Sequence, residues 1–291
     1  MKISIAATTD AGCVRPNNED ALLFCPDLSQ QQWLQQTHLP EATLNPSGAL
    51  LIVADGMGGA NAGEVASQLA THTMKDVFTS DYARQAVDDD EQADPLLQQA
   101  FAQAAQAISQ RISQDPLTDG MGTTLVACWI VNQRAHVLWC GDSRCYLYNP
   151  RQGLRRLTKD HSLVQQMVDN GEITEAEARC HPDNNIITRA LGDFDLQPEP
   201  DITSCPLLAG DTLLLCTDGL CGYCDDQQLE QVMRSSARIP QQCQQQLMQL
   251  ALNAGGEDNI GIVVATLLAD DEEDSAPAAT FSSLLRRLFG R

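Results

Sequence analysis

Apolar and polar residues along this chain follow two rhythms, one of period two and one near 3.6. Ile3, Ile5 and Ala7 alternate with Lys2, Ser4 and Ala6, which predicts a first strand, and residues 20–24 predict a second. Residues 49–54 form an unbroken apolar run that stops at Asp55, the pattern of a strand buried on both faces. Asn61 with Glu64 three residues on marks an N-cap pair, predicting a helix to about Phe78. A second helix is predicted over 95–113, with Asp115 and Pro116 just past its end. From Gly122 the chain returns to short β-favouring runs at 123–131, 135–140, 144–148 and 154–157, separated by turn-like residues: an antiparallel meander. A helix over 162–170 closed by Gly171, a strand over 211–217, helices over 226–233 and 240–253 and a last strand over 260–268 follow. Residues 25–47 lack a clean period and read as an elaborated connection. Grouped strands and paired helices predict an α+β class rather than a doubly wound parallel sheet.

Composition narrows the picture. With 43% hydrophobic but only 4% aromatic residues, the core must be built mainly from Leu, Val, Ala and Ile. The net charge of -21 argues against nucleic acid, which is gripped by Lys and Arg clusters, and against anionic membranes. No stretch is long and apolar enough for a membrane span, and the first residues do not resemble a signal peptide. The 11 cysteines, odd in number and irregularly spaced, fit reduced thiols in the cytoplasm. Cys221 and Cys224 have a CxxC spacing without a second pair, so a turn bearing two small apolar residues is the simpler reading.

The informative feature is a set of acids beside glycines or small polar residues at the ends of apolar runs. They are Asn18-Glu19-Asp20, Asp55-Gly56-Met57-Gly58-Gly59, Gly141-Asp142-Ser143-Arg144, Thr217-Asp218-Gly219 and Glu257-Asp258-Asn259. Taken singly, each has a plain explanation: a turn after a strand, a hairpin, a strand cap. Brought together they would repel one another and require cations, and all-oxygen ligand sets suit hard ions such as Mg²⁺ or Mn²⁺. Two such ions can lower the pKa of a shared water and clamp the oxygens of an in-line displacement, chemistry that favours phosphoester hydrolysis. Arg15, five residues before Asp20, offers the planar fork that phosphate recognition uses.

In this order, Arg15-Pro-Asn-Asn-Glu-Asp20, the DGMGG at Asp55, Gly122-Thr-Thr-Leu, the GDSR at Gly141, Asp218-Gly219-Leu220 and Asp258-Asn259 resemble the metal-dependent protein phosphatases of the PP2C (PPM) type in their compact bacterial form. The resemblance spans about residues 3–268. It implies a four-layer αββα sandwich of two antiparallel sheets flanked by helix pairs, with the metals at one edge. By matched position Asp55 would bridge two Mn²⁺ or Mg²⁺ ions and Gly56 would lend its carbonyl oxygen. Glu19 would hold one ion, and Asp218 with Asp258 the other. Asp20 would orient metal-bound water, and Asp142 with Asp218 would form a third metal position. Arg15 would grip the substrate phosphate, while Thr123 and Thr124 would be structural. A metal-activated water would then attack phosphoserine or phosphothreonine in proteins, with no phosphoenzyme intermediate, opposing a serine/threonine kinase.

One departure matters: Met57 stands where several eukaryotic members carry a proposed general-acid histidine, and a thioether cannot donate a proton. His161 reads as a loop histidine satisfied locally, so the acid stays unassigned. Residues 170–191 resemble a flap bordering the catalytic edge. A catalytically weak sensor or scaffold is the alternative, disfavoured because every metal-site acid is present. A dinucleotide site is excluded because the spacing after Ala54 fails GxGxxG, and a kinase because HRD and DFG segments are lacking. The expected organisation is a phosphatase domain over 1–269, then an acidic linker and short basic amphipathic tail over 270–291. A cytoplasmic monomer is expected.

Overall fold

The computed structural model describes residues 1–58, 62–87, 89–192 and 198–270. Its first half contains strands β1 (Lys2–Asp10), β2 (Asp20–Cys25), β3 (His38–Thr43) and β4 (Ala49–Met57), then helices α1 (Ala62–Val77), α2 (Ser80–Arg84) and α3 (Ala93–Gln114). Strands β5 (Gly122–Thr123), β6 (Leu125–Val131), β7 (Arg134–Cys140), β8 (Arg144–Asn149) and β9 (Gly153–Arg156) form the meander. Helices α4 (Leu163–Asp169) and α5 (Glu175–Arg179) lead to β10 (Leu191–Gly192), β11 (Asp201–Pro206) and β12 (Thr212–Cys216). Helices α6 (Asp218–Cys221), α7 (Asp226–Ser236) and α8 (Pro240–Asn253) precede the final β13 (Ile260–Leu268).

Two antiparallel sheets result, one ordered β3-β1-β13-β12-β8-β9 and the other β10-β5-β4-β6-β7-β11 with β2 also paired to β4. The period-two alternation decides what each strand shows to which layer. Leu51, Val53, Val126 and Cys128 meet Ile3, Ile5, Leu215 and Val263 between the sheets. Their neighbours Leu50, Ile52, Ala127 and Trp129 point the other way, onto Ala66, Ala70 and Met74 of α1 and Leu97, Ala100 and Ala104 of α3. On the far side Tyr146, Leu214 and Val264 pack on Leu229, Met233, Leu247 and Ala251 of α7 and α8. Alanines on the helix faces let the helices sit close to the sheets, and each fully buried aliphatic side chain contributes roughly 1.5–3 kcal/mol. The αββα sandwich is the expected one.

The differences from the sequence reading have local causes. Strand β4 does not stop at Asp55 but continues to Met57, because Gly56 and Met57 pair with Thr123 and Gly122 of β5. The run 123–131 is broken at Thr124, whose N–H donates to the Asp55 carbonyl at 2.9 Å. Within the supposed connection 25–47 lies β3, an edge strand whose mostly polar sequence and Pro40 conceal it. Strand β11, at the opposite sheet's edge, is likewise largely uncovered and was not anticipated. The proposed N-cap Asn61 and the tail beyond Asp270 lie outside the described residues. Asp270 itself pairs with the Met1 amine at 2.6 Å. Among the described residues no helix is long and apolar enough to cross a membrane. All cysteines are free thiols, only Cys13 and Cys180 are exposed, and Cys221 and Cys224 pack in the core beside Leu229 and Met233.

Candidate metal centre

At one edge of the sandwich, strand ends from both sheets deliver the predicted acids to one place. Asp20 and Asp55 are direct cross-strand partners of β2 and β4. The Asp55 backbone is fixed by the end of β5 and the residue that follows it: its carbonyl accepts from the Thr123 hydroxyl at 2.8 Å, and its N–H donates to Thr124 Oγ1 at 3.1 Å. Glu19 is held through its backbone, its N–H donating to Asn259 Oδ1 at 2.8 Å and its carbonyl accepting from Ser67 Oγ at 2.5 Å. Asn259 also donates to the Ala11 and Asn17 carbonyls, binding the 11–19 loop to the start of β13. Asp218 opens α6 directly after β12, and Thr217 Oγ1 donates to Asp20 Oδ2 at 2.8 Å. A cleft lined by Arg15, Glu19, Asp55, Gly56, Asp218 and Asp258 is the outcome. Asp142 reaches the adjoining cavity, which Arg15, Asp218 and Asp258 also line.

Glycines permit this approach. A Cβ on Gly56 would strike the carbonyl oxygens of Gly63 and Glu19, and one on Gly219 would strike the Asn259 carbonyl. On Gly63 it would lie 2.7 Å from Glu19 Oε2.

The charges are unbalanced. Burial, then the neighbouring Asp218, Asp20 and Asp142, holds the Asp55 carboxyl well above the usual range. Burial also raises Asp20, with the Thr217 hydroxyl opposing and Asp218, Asp258 and Glu19 adding to it. Asp142 is raised by burial and then by Asp218 and Asp160, and Asp218 by burial and then by Asp258. Glu19 is pushed up by burial against the pull of Arg15.

Arg15 donates to Asp258 Oδ2 at 2.6 Å, which raises its own pKa. The guanidinium is therefore at the cleft, beside an expected metal ligand. Arg144 plays a different part: it is largely buried, donates to both Asp160 oxygens and reaches the Cys221 carbonyl at 3.3 Å, tying β8 to α6. His161 stands behind Asp142 rather than in the cleft. Its Nδ1 accepts from the Gly141 N–H at 3.2 Å, its Nε2 faces Asp201 Oδ2 at 3.2 Å, and burial lowers its pKa. Met57 lines the cleft.

Among the described residues no three His, Cys, Asp or Glu side chains are already closed into an ion cage. The donor set nevertheless fits divalent cations. Asp20 Oδ1, Asp142 Oδ1 and Asp218 Oδ1 are buried without a hydrogen-bond partner, a costly condition that a cation relieves. All the candidate donors are oxygen, as hard cations prefer. Sequence reading had not assigned roles to Thr217, Asn259 or Ser67. Thr217 and Asn259 adjoin the predicted acids, which is the one signal that could have found them; nothing local marks Ser67.

Comparison with known proteins agrees with the geometry. The protein phosphatase 2C family model matches residues 11–260. The chain is 36% identical over 283 residues to the serine/threonine protein phosphatase PstP of Mycobacterium tuberculosis, covering 95% of this chain and 47% of that one. It thus spans about half the length of that relative. Protein phosphatase PhpP of Streptococcus pneumoniae is 32% identical over 277 residues, covering 93% of this chain and 100% of its own. Among solved structures, the catalytic domain of PstP in complex with two manganese ions superposes with a TM-score of 0.70 at 33% identity, covering 92% of this chain and 100% of that one.

Two outcomes follow from the crowding. Carboxyls raised above their unfolded values hold protons in the fold that the unfolded chain would release. In the metal-free protein these groups should therefore contribute stability at pH below the ordinary carboxylate range, and melting temperature should fall as pH rises above it. Asp55→Asn should flatten that slope, and Mn²⁺ at the higher pH should restore stability to wild type only; thermal melts across pH with and without the ion check both. Separately, Gly219→Ala should cost about 1–3 kcal/mol of stability through overpacking. It should also weaken Mn²⁺ binding measured by calorimetry.

Proposed function

The chain belongs to the protein phosphatase 2C family, and on that premise we propose that it hydrolyses phosphoserine and phosphothreonine in proteins. The observation that supports this most directly is the cleft in which Glu19, Asp55, Asp218 and Asp258 meet beside Arg15. Bound divalent cations would supply neutralising charge to the phosphoryl oxygens and a lowered pKa to the attacking water. Glu19, Asp55 and the Gly56 carbonyl would hold one ion and Asp55, Asp218 and Asp258 the other. Asp142 with Asp218 would hold a third.

The chain's own groups then divide the work. Arg15, exchanging Asp258 for the substrate, donates its fork to the phosphoryl oxygens. Asp20 keeps Oδ1 free to accept a hydrogen bond from the attacking water, while Thr217 fixes its other oxygen. The P–O bond to serine or threonine breaks as the new one forms, and because Met57 has no proton to give, the leaving oxygen must be protonated by a water in the cleft or by another group. A non-catalytic sensor would have no use for so many mutually repelling acids in one cleft. Within the same proposal the natural substrates are phosphoproteins of a serine/threonine kinase, the ions are Mn²⁺ or Mg²⁺, and the protein acts as a cytoplasmic monomer.

The test is phosphate release from a phosphothreonine peptide. Mn²⁺ or Mg²⁺ should be required and EDTA should abolish turnover. Arg15→Ala should raise KM about 10-fold, more than it lowers kcat. A wild type that behaves like Asp218→Asn, with no metal-dependent turnover, would sink the assignment.

A further inference from the structure

The cavity of about 400 Å³ beside the metal cleft holds three arginines besides Arg15: Arg144, Arg156 and Arg179. Arg144 and Tyr146 share one face of β8, and Arg156 of β9 is the cross-strand partner of Tyr146, so Arg156 lies beyond Arg144 as seen from Asp142. The acids of this cavity are engaged. Asp160 accepts from Arg144 through both its oxygens, and Asp226 accepts from the Tyr146 hydroxyl at 3.1 Å. Arg156 and Arg179 are held far more loosely. Arg156 stands 3.9 Å from Asp160 and Arg179 3.8 Å from Asp226, both outside hydrogen-bonding range. Each makes a 3.3 Å hydrogen bond to a neutral oxygen, Gln165 Oε1 for Arg156 and the Cys224 carbonyl for Arg179. A guanidinium carries five N–H donors, so both retain capacity for an anion. Glu175, the cavity's other acid, is exposed to water on α5.

We infer that Arg156 and Arg179 form a second anion-binding position, which takes an acidic side chain of the substrate about two or three residues from the phosphorylated one. The inference rests on the phosphatase reading. In that reading the divalent ions occupy Asp142, Asp218 and Asp258, and the substrate phosphate occupies Arg15. Arg144 and Asp160 satisfy each other. What the cavity still offers is the donors of two arginines, whose planar forks suit a carboxylate better than the neutral oxygens they now meet. The spacing agrees. The step from Asp142 to Arg144 is about 7 Å along extended backbone, and the Arg156 guanidinium lies just beyond, beside the Asp160 that Arg144 holds. An extended peptide covers that distance in about two or three residues. The chain as a whole, at -21, repels acidic peptides, so a gain from an added acid requires a local positive site.

Phosphothreonine peptides carrying a single Glu or a single Gln at each position from −4 to +4 test this with the manganese-loaded full chain. Glu should raise kcat/KM over Gln about 10-fold, equivalent to about 1.4 kcal/mol, two or three residues away on one side only, and added salt should shrink the gain. Arg156→Gln and Arg179→Gln should each lower the Glu-to-Gln ratio, and the double substitution should bring it to one or below. Arg84→Gln, on α2 and outside the cavity, should keep it. Because the ratio is taken within one variant, a smaller folded fraction does not alter it. Glu no faster than Gln at every position, or a gain that survives the double substitution, would overturn the second anion position while leaving the phosphatase intact. No turnover of any peptide would overturn both.

Discussion

Carboxyl groups that burial has pushed toward protonation are held side by side at this sandwich's edge, and backbone rather than charge holds them there. Asp55 extends from a strand paired on both sides, Asp20 sits opposite it in register, and Asp218 is fixed at the junction of β12 and α6. Left ionised, each close pair would cost about 1–4 kcal/mol at the effective dielectric of a protein surface. The cost is borne by the layers behind, where aliphatic residues between the sheets and alanine-rich helix faces outside them fix the strands. A floppier scaffold would let the acids drift apart and lose the cation site. Rigidity in the core and strain at the edge are two aspects of one arrangement.

The same crowding explains the surroundings. Thr217 satisfies one oxygen of Asp20 and leaves the other open, and Asn259 spends its amide on backbone groups of the 11–19 loop, so Glu19 and Arg15 are carried to the cleft together. Arg15 bonded to Asp258 is the one cation in direct contact with the acids among the described residues. In the proposed reaction a phosphate would compete with Asp258 for the same guanidinium, so neutralisation of Asp258 by a divalent ion and capture of the substrate would act in the same direction.

How much of this could be read in the sequence depends on the range of the forces involved. Period and run length revealed the buried strands because β4, β12 and β13 are covered on both faces, and an acid ending such a run is visible as an anomaly. Edge strands β3 and β11 carry little burial and so little periodicity, and they were missed. The acids were legible one by one, and the resemblance of their order to a known family joined them. Their supports were not: Asn259 reaches Glu19 across 240 positions and Thr217 reaches Asp20 across 197, separations that no local pattern encodes.

Asp-Gly pairs carry a further lesson, because the ordinary meaning of Asp-Gly is a turn. Neither Gly56 nor Gly219 has a positive φ, and neither makes a turn: Gly56 lies within β4 and Gly219 within α6. What each glycine provides is the missing Cβ. Gly56 lets the Glu19 and Gly63 backbones come against β4, and Gly219 lets the Asn259 carbonyl come against α6. Each acid is thus followed by the residue that allows the next acid-bearing segment to approach: Glu19 toward Asp55 in one case, Asp258 toward Asp218 in the other. Acid and glycine are adjacent in sequence because the carboxyl group and the close backbone approach are needed at the same point in space. An alanine at either place would separate the carboxylates without altering one of them.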